Sequence, residues 1–179
     1  ARMSSTASWG RAAAWSARCW WWMVCTRTGG VCRCPGIRIA RFADMPMITL
    51  PRELVNQMLA QAQQQPQEEI CGLIAARDGR PCAIYPVPNR LHSLHRFRMD
   101  EAEQIAAFRH MREAGQTLFA IYHSHPRAAA VPSVTDLKES SYPDALYLIV
   151  SLNTKGVLEL RGFRLADHRA EEVTLGLGE

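Results

Sequence analysis

Beyond residue 45, two stretches of strand length are apolar at every position: Leu118-Phe119-Ala120-Ile121-Tyr122 and Ala145-Leu146-Tyr147-Leu148-Ile149-Val150. Neither offers a polar face to water. Such segments are at home in a sheet only where it is covered on both sides. The flanking patterns supply the covers. Met47-Ile48-Thr49-Leu50 reads as a short strand, and Pro51 suits the first turn of a helix. That helix carries Leu54, Val55, Met58, Leu59 and Ala62 on one face and dissolves in the Gln-rich run around Pro66. Ile70 to Ala76 reads as a buried strand, Asp78-Gly79 as a hairpin turn, and Cys82 to Val87 as the return strand. Arg96 to Met99 is expected to form another short strand. Asp100, with Glu103 three residues on, caps a second helix, whose expected face is Ala102, Ile105, Ala106, Phe108 and Met111; Ala114-Gly115 closes it. Residues 157–165 alternate but change phase at Gly162, which predicts a β-bulge there, and Val173 to Leu177 is expected to be a last edge strand. The order gives an α/β (α+β) fold, a mixed β-sheet flanked by helices, without internal repeats.

Residues 1–44 do not share this regularity. They hold all five Trp, four of the six Cys (Cys19, Cys25, Cys32, Cys34) and seven Arg, against the single acid Asp44. The formal +4 of the whole chain is therefore +6 on this stretch and −2 on residues 45–179, so the basic balance does not mark a nucleic-acid binder. The apolar run from Cys19 to Cys25 is minimal for a secretory signal, and Thr26-Arg27-Thr28 follows where small residues are wanted. No C-x2-C pair supports a zinc knuckle. The stretch is expected to be a disordered leader or an over-extended start, and residues 45–179 a single domain. No apolar run reaches the ~18 residues of a membrane span.

The chemistry concentrates after the first apolar run, in His123-Ser124-His125-Pro126. Two His at i and i+2 on a strand point to the same face, as two imidazoles on one metal ion would. Seven residues, Pro126 to Pro132, lead to Ser133-Val134-Thr135-Asp136. Asp136, at the start of a short helix, can fold back as a third ligand, leaving one tetrahedral position for water. Zinc lowers the pKa of such a water towards ~7. A general base is then needed off the metal, and Glu69, at the mouth of the strand 70–76, is the candidate; Glu68 points to the opposite side if the strand already begins there. Ser133 can donate to the oxyanion of a tetrahedral intermediate. Ser133-x-x-Asp136 is also a helix capping box, and both roles are compatible. By themselves, H-x-H and a single acid before a strand are common structural features. Two His, a Ser and an Asp at these offsets together should arise by chance on the order of once in several thousand such chains. Cys71 reads as a buried small hydrophobe, Cys82 as a second buried thiol, and His92, His95, His110 and His168 as solvent-facing.

These residues resemble a known signature. His123-x-His125-Pro126, the seven-residue spacer and Ser133-x-x-Asp136 look like the JAMM (MPN-plus) metalloprotease motif. Glu69-Ile70-Cys71-Gly72 is similar to that family's upstream Glu-x-Cys-Gly stretch, and Phe97-Arg98-Met99-Asp100 resembles its mid-domain segment. The resemblance covers Met47 to the C-terminus and is to the short bacterial type. It implies the cytidine-deaminase-like/MPN architecture and one zinc ion on His123, His125 and Asp136. It also implies Glu69 as base, Ser133 as hydrogen-bond donor to the intermediate, and cleavage after the Gly-Gly tail of a ubiquitin-like sulfur-carrier protein. A metal-free MPN-type scaffold and a peptidase acting on another ubiquitin-like protein stay open, whereas zinc-dependent base deamination lacks its P-C-x-x-C. Two thiols without a convincing signal segment fit a reducing cytoplasm. A chain beginning at Met45 is expected to keep full zinc content and full activity. Loss of either on truncation, measured side by side with the full chain, would return residues 1–44 to the working part.

Overall fold

The computed structural model describes residues 47–153 and 159–178. The leader expected over 1–44 lies outside them, as does Leu158. The strands are β1 (Met47–Pro51), β2 (Cys71–Arg77), β3 (Arg80–Val87), β4 (Thr117–His125), β5 (Leu146–Ser151), β6 (Glu159–Ala166) and β7 (Arg169–Gly178). They form one sheet in the order β1-β7-β6-β5-β4-β2-β3. β1 with β7 and β4 with β5 run parallel, and the other neighbours are antiparallel. The helices are α1 (Arg52–Gln64), α2 (Glu101–Glu113) and α3 (Val134–Glu139).

The two apolar runs are the parallel pair β4 and β5 at the heart of the sheet. All of β5, and all of β4 after Thr117, is buried. α1 covers one face through Leu54, Val55, Met58 and Ala62, which meet Ile74, Ala120, Tyr122, Leu148 and Val150. α2 and the segment after β4 cover the other, where Ala107, Met111 and Ala130 meet Leu73, Ile121, Tyr147 and Ile149. Two covered faces make this an α/β arrangement with two apolar layers.

Several sequence expectations are corrected. Gly162 is not a bulge, because the register of β6 with β5 runs through it unbroken, Arg161, Gly162 and Phe163 each pairing in turn with Ile149, Leu148 and Tyr147. The phase change in apolar residues has another cause. Leu160 packs into the α1 layer while Phe163 and Leu165 belong to the α2 layer, so each half of the strand serves a different face. Gly162 is there because a Cβ would sit 2.9 Å from Leu175 Cδ2 and 3.1 Å from Val173 Cγ2. The register shifts that do occur lie at Phe119 in β4, between the Ile74 and Ala75 pairs, and at Cys82 in β3. β7 is not an edge, since β1 pairs outside it. Arg96 to Met99 forms no strand, only an isolated bridge from Met99 to Asn89. On α2, Met111 of the expected face is buried and Phe108 packs against the same layer, but Ile105 is 54% exposed, Ala102 is exposed, and Ala107 completes the buried stripe. The helix is pinned at both ends, by Asp100 accepting from the N–H groups of Ala102 and Glu103 and by Arg77 donating to the Ala114 carbonyl. In the roll these anchors allow, Ile105 faces water.

Gly72 occupies the point where Tyr122 crosses β2: a Cβ there would lie 2.4 Å from Tyr122 Oη and 2.5 Å from its ring carbons. Tyr122 is itself held by a 2.7 Å hydrogen bond to Gln61 Oε1 of α1. Gly72→Ala is predicted to destabilise the fold by about 2 kcal/mol through overpacking, read as a lower urea midpoint at unchanged slope. A variant as stable as the parent would contradict the close approach.

Candidate metal centre

Strand alternation decides which side chains meet. Along the end of β4, Ile121, His123 and His125 face the α2 layer, and Ser124 faces the other. The Ser124 N–H donates to the Ile70 carbonyl (3.0 Å), and its Oγ accepts from the Ile70 N–H (3.0 Å). These bonds prolong the β2–β4 pairing one residue beyond Cys71↔His123, so Glu69 comes opposite His125. On the other side, β5 pairs with His123 and His125 through Ile149 and Ser151, and the Leu152 N–H donates to the His125 carbonyl at 3.1 Å. The strand end that carries both imidazoles is thus bonded on both flanks, through Ser124 on the β2 side and His125 on the β5 side.

His123 Nε2 and His125 Nε2 lie 3.1 Å apart. His125 Nδ1 is 2.8 Å from the Ala129 carbonyl, which can only accept. The ring proton therefore sits on Nδ1, and the Nε2 lone pair points to the centre. The His123 ring is stacked on Phe97, centroids 4.6 Å apart. Asp136 Oδ2 lies 3.6 Å from His123 Nε2 and 3.7 Å from His125 Nε2. Donor atoms on a tetrahedral zinc ion, at 2.0–2.1 Å, stand about 3.3 Å from one another. Separations of 3.1, 3.6 and 3.7 Å bracket that value, so the three residues fit such an ion. Two neutral imidazoles and one carboxylate would leave it a net positive charge. The turn into α3 sets Asp136 in place: the Ser133 N–H donates to Asp136 Oδ2 (2.7 Å), and Ser133 Oγ accepts from the Asp136 N–H (3.2 Å). In that bond Ser133 Oγ is the acceptor, so its own proton remains to be donated elsewhere.

The electrostatics follow from burial and neighbours. Burial disfavours the charged form of His123 and lowers its pKa. Burial also opposes charge on His125, but Asp136, the Ala129 carbonyl and Glu69 together outweigh it and raise the pKa. For Asp136, burial is outweighed by the bonds from His123 and His125, which hold the carboxyl far below the usual range. Glu69 is 4% exposed, and burial pushes its pKa up to about 7; His125 opposes this, and Asp136 adds to it. A carboxyl poised near neutrality suits proton transfer.

The structure brings together Glu69, His123, His125, Ser133 and Asp136. Glu68 turns away, with Oε2 2.8 Å from His92 Nδ1. His92, His95, His110 and His168 are exposed. Cys71 is buried, donates to the Val87 carbonyl and is pushed by burial to about 12, so it stays a thiol. Cys82 is exposed, not buried, because it is the extra residue of the bulge on edge strand β3. Sequence reasoning missed Asn89, Phe97 as the plate under His123, and Ser151, which donates to the Ala128 carbonyl (2.7 Å) beside the Ala129 acceptor. Phe97 lies in the Phe97-Arg98-Met99-Asp100 segment already singled out in the sequence, and Asn89 had the signal of a Pro-Asn pair ending a strand and opening a loop; Ser151 had none.

Comparison with known proteins places this geometry in context. The family model for prokaryotic homologues of the JAB domain matches residues 51–165. A CysO-cysteine peptidase of Mycobacterium tuberculosis is 35% identical over 143 residues, covering 79% of this chain and 98% of that one. The solution structure of protein DSY2949 from Desulfitobacterium hafniense superposes with a TM-score of 0.68 at 34% identity, over 74% of this chain and 94% of that one. A JAB1/MPN domain protein from Archaeoglobus fulgidus shares the fold, with a TM-score of 0.50 at 19% identity, over 74% and 100% of the two chains.

The raised Glu69 pKa has a consequence for the metal-free protein. The folded state holds this proton up to pH about 7, whereas an ordinary carboxyl releases it near 4.5. Its contribution to stability is therefore full below 4.5 and lost as pH rises through 7. Glu69→Gln keeps the neutral form. In chelator it is predicted to melt above the parent at pH 8, with the gap closing by pH 4.5. Melting curves that stay parallel across that range would contradict the burial of this carboxyl.

Proposed function

The chain belongs to the family of prokaryotic homologues of the JAB domain, the short prokaryotic JAMM/MPN group, and from that premise we propose that it is a zinc metallopeptidase. Its substrate is a ubiquitin-fold sulfur-carrier protein, cut at the amide or isopeptide bond after the C-terminal Gly-Gly. The observation that carries this is the convergence of His123 Nε2, His125 Nε2 and Asp136 Oδ2 beside the buried Glu69. The Mycobacterium relative, described as a CysO-cysteine peptidase, supports the substrate class and a cysteine leaving group.

His123, His125 and Asp136 would hold one zinc ion, which when bound supplies a Lewis acid and a water acidified towards pH ~7. Glu69 accepts the proton of the attacking water on its carboxylate and returns it to the leaving nitrogen. The Ser133 hydroxyl donates to the substrate carbonyl oxygen as negative charge builds there. Phe97 covers one flank of His123 and keeps water off it. The active unit is residues 45–179, working in a reducing cytoplasm without nucleic acid or membrane. Among the described residues no helix is long and apolar enough to cross a membrane.

The test uses a CysO-cysteine conjugate and the zinc-loaded chain. One zinc per chain is expected, with cysteine released. Chelator should abolish release and added zinc restore it, and His125→Ala or Asp136→Asn should lower kcat/KM by more than about 100-fold. Cleavage indifferent to chelator and to both substitutions would refute the proposal.

A further inference from the structure

We propose that Asn89 is the positioning residue for Glu69, tying the base and the Phe97 plate into one rigid unit. The inference rests on Glu69 being the base. Asn89 is 5% exposed and lies in the loop between β3 and α2, outside the expected set of site residues. Its side chain makes four hydrogen bonds, the full capacity of a carboxamide. Nδ2 donates to the carbonyls of Glu69 (2.9 Å) and Arg96 (3.1 Å), while Oδ1 accepts from the N–H groups of Leu91 and Arg98, both at 3.0 Å. All four partners are backbone, so no surface rotamer is frozen to make them.

What those bonds connect gives Asn89 its role. Glu69 lies just before β2, and its own N–H donates to the carbonyl of Ser93 (2.8 Å), in the same loop. The peptide units on both sides of Glu69 are therefore held by residues 89 and 93, while Ser124 fixes the next residue, Ile70. The Arg96 carbonyl and the Arg98 N–H flank Phe97, whose ring stacks on His123. One side chain thus sets both the carboxylate across from His125 and the ring against His123. Backbone pairing reinforces the loop, with the Arg90 N–H on the Arg98 carbonyl (2.8 Å) and the Asp100 N–H on the Pro88 carbonyl (3.0 Å). The carboxamide is the part that reaches across to Glu69. None of the four bonds of the Asn89 carboxamide goes to His123, His125 or Asp136, so it acts through Glu69.

This separates two substitutions. Asn89→Asp keeps both acceptor bonds and loses both donor bonds, including the one to Glu69. Asn89→Ser loses the reach altogether. A misplacement of about 1 Å in a catalytic group can cost ~100-fold in rate. Both variants are expected to keep one zinc per chain and a native melting transition, with KM for the CysO-cysteine conjugate within about threefold of the parent and kcat down about 10- to 100-fold. The deciding comparison is the double variant. Asn89→Ser in a Glu69→Gln background should be no slower than Glu69→Gln alone, since the residue being positioned is already gone. Crystals of zinc-loaded Asn89→Asp should show the Glu69 carboxylate displaced, with His123 and His125 unmoved. Parental kcat in both variants, or losses that multiply in the double variant, would overturn the assignment. Unfolding of both would reassign Asn89 to the scaffold. Glu69→Gln as active as the parent would instead remove Glu69 as base, and the role of Asn89 with it.

Discussion

From Ala120 to its carboxyl end, strand β4 is hydrogen-bonded on both sides, antiparallel to β2 and parallel to β5, and everything else in this molecule depends on that. A backbone bonded on both flanks resists local sliding and twisting, so side chains at its carboxyl end start from fixed positions, and the Ala129 carbonyl and the Phe97 ring then orient the imidazoles. His123 and His125 occupy those positions. The same pairing, run past the strand end by Ser124 and Ile70, brings Glu69 across from His125. The parallel partner β5 requires a crossover, and the chain between β4 and β5 is the segment that carries Ala129, Ser133 and Asp136 back to the imidazoles. Topology and chemistry are one arrangement here.

Burial makes the site both costly and useful. Four ionisable groups in a water-poor cleft would destabilise a fold that left their charges uncompensated. The compensations are specific. Asp136 lies against both imidazoles and takes the Ser133 N–H, and His125 is held by the Ala129 carbonyl. Of the two carboxyls, Glu69 is the one pushed towards its neutral form, by burial and by the charge of Asp136. A cation at the centre would satisfy three of these groups at once and leave the fourth free to move a proton. The fold therefore gives up stability at this point for a preorganised donor set.

How much of this was legible in the sequence depended on whether a residue's role is local. The H-x-H pair, the Ser133-x-x-Asp136 turn and the two apolar runs are visible because strand period and capping geometry are written in near neighbours. The α2 face was misread at its first turns, though not at Phe108 and Met111, because Ile105 is as apolar as any buried residue, and the tertiary anchors at Asp100 and Arg77 turn it outward. Gly162 looked like a bulge because a sheet covered on both faces lets apolar residues change phase without an irregularity. Cys82 looked buried because its bulge on an edge strand cannot be read from one strand alone. Asn89 was missed because its four partners are backbone atoms, and no residue pattern announces a bond to the main chain.

The most direct test of the account is where zinc binds. Crystals of the chain grown with equimolar zinc, with anomalous data collected on both sides of the zinc absorption edge, should show one ion. It should lie within about 2.0–2.2 Å of His123 Nε2, His125 Nε2 and an Asp136 carboxylate oxygen, with Glu69 near it but not bound. An ion seated elsewhere, one bound by Glu69 itself, or no anomalous peak at this centre would contradict the account.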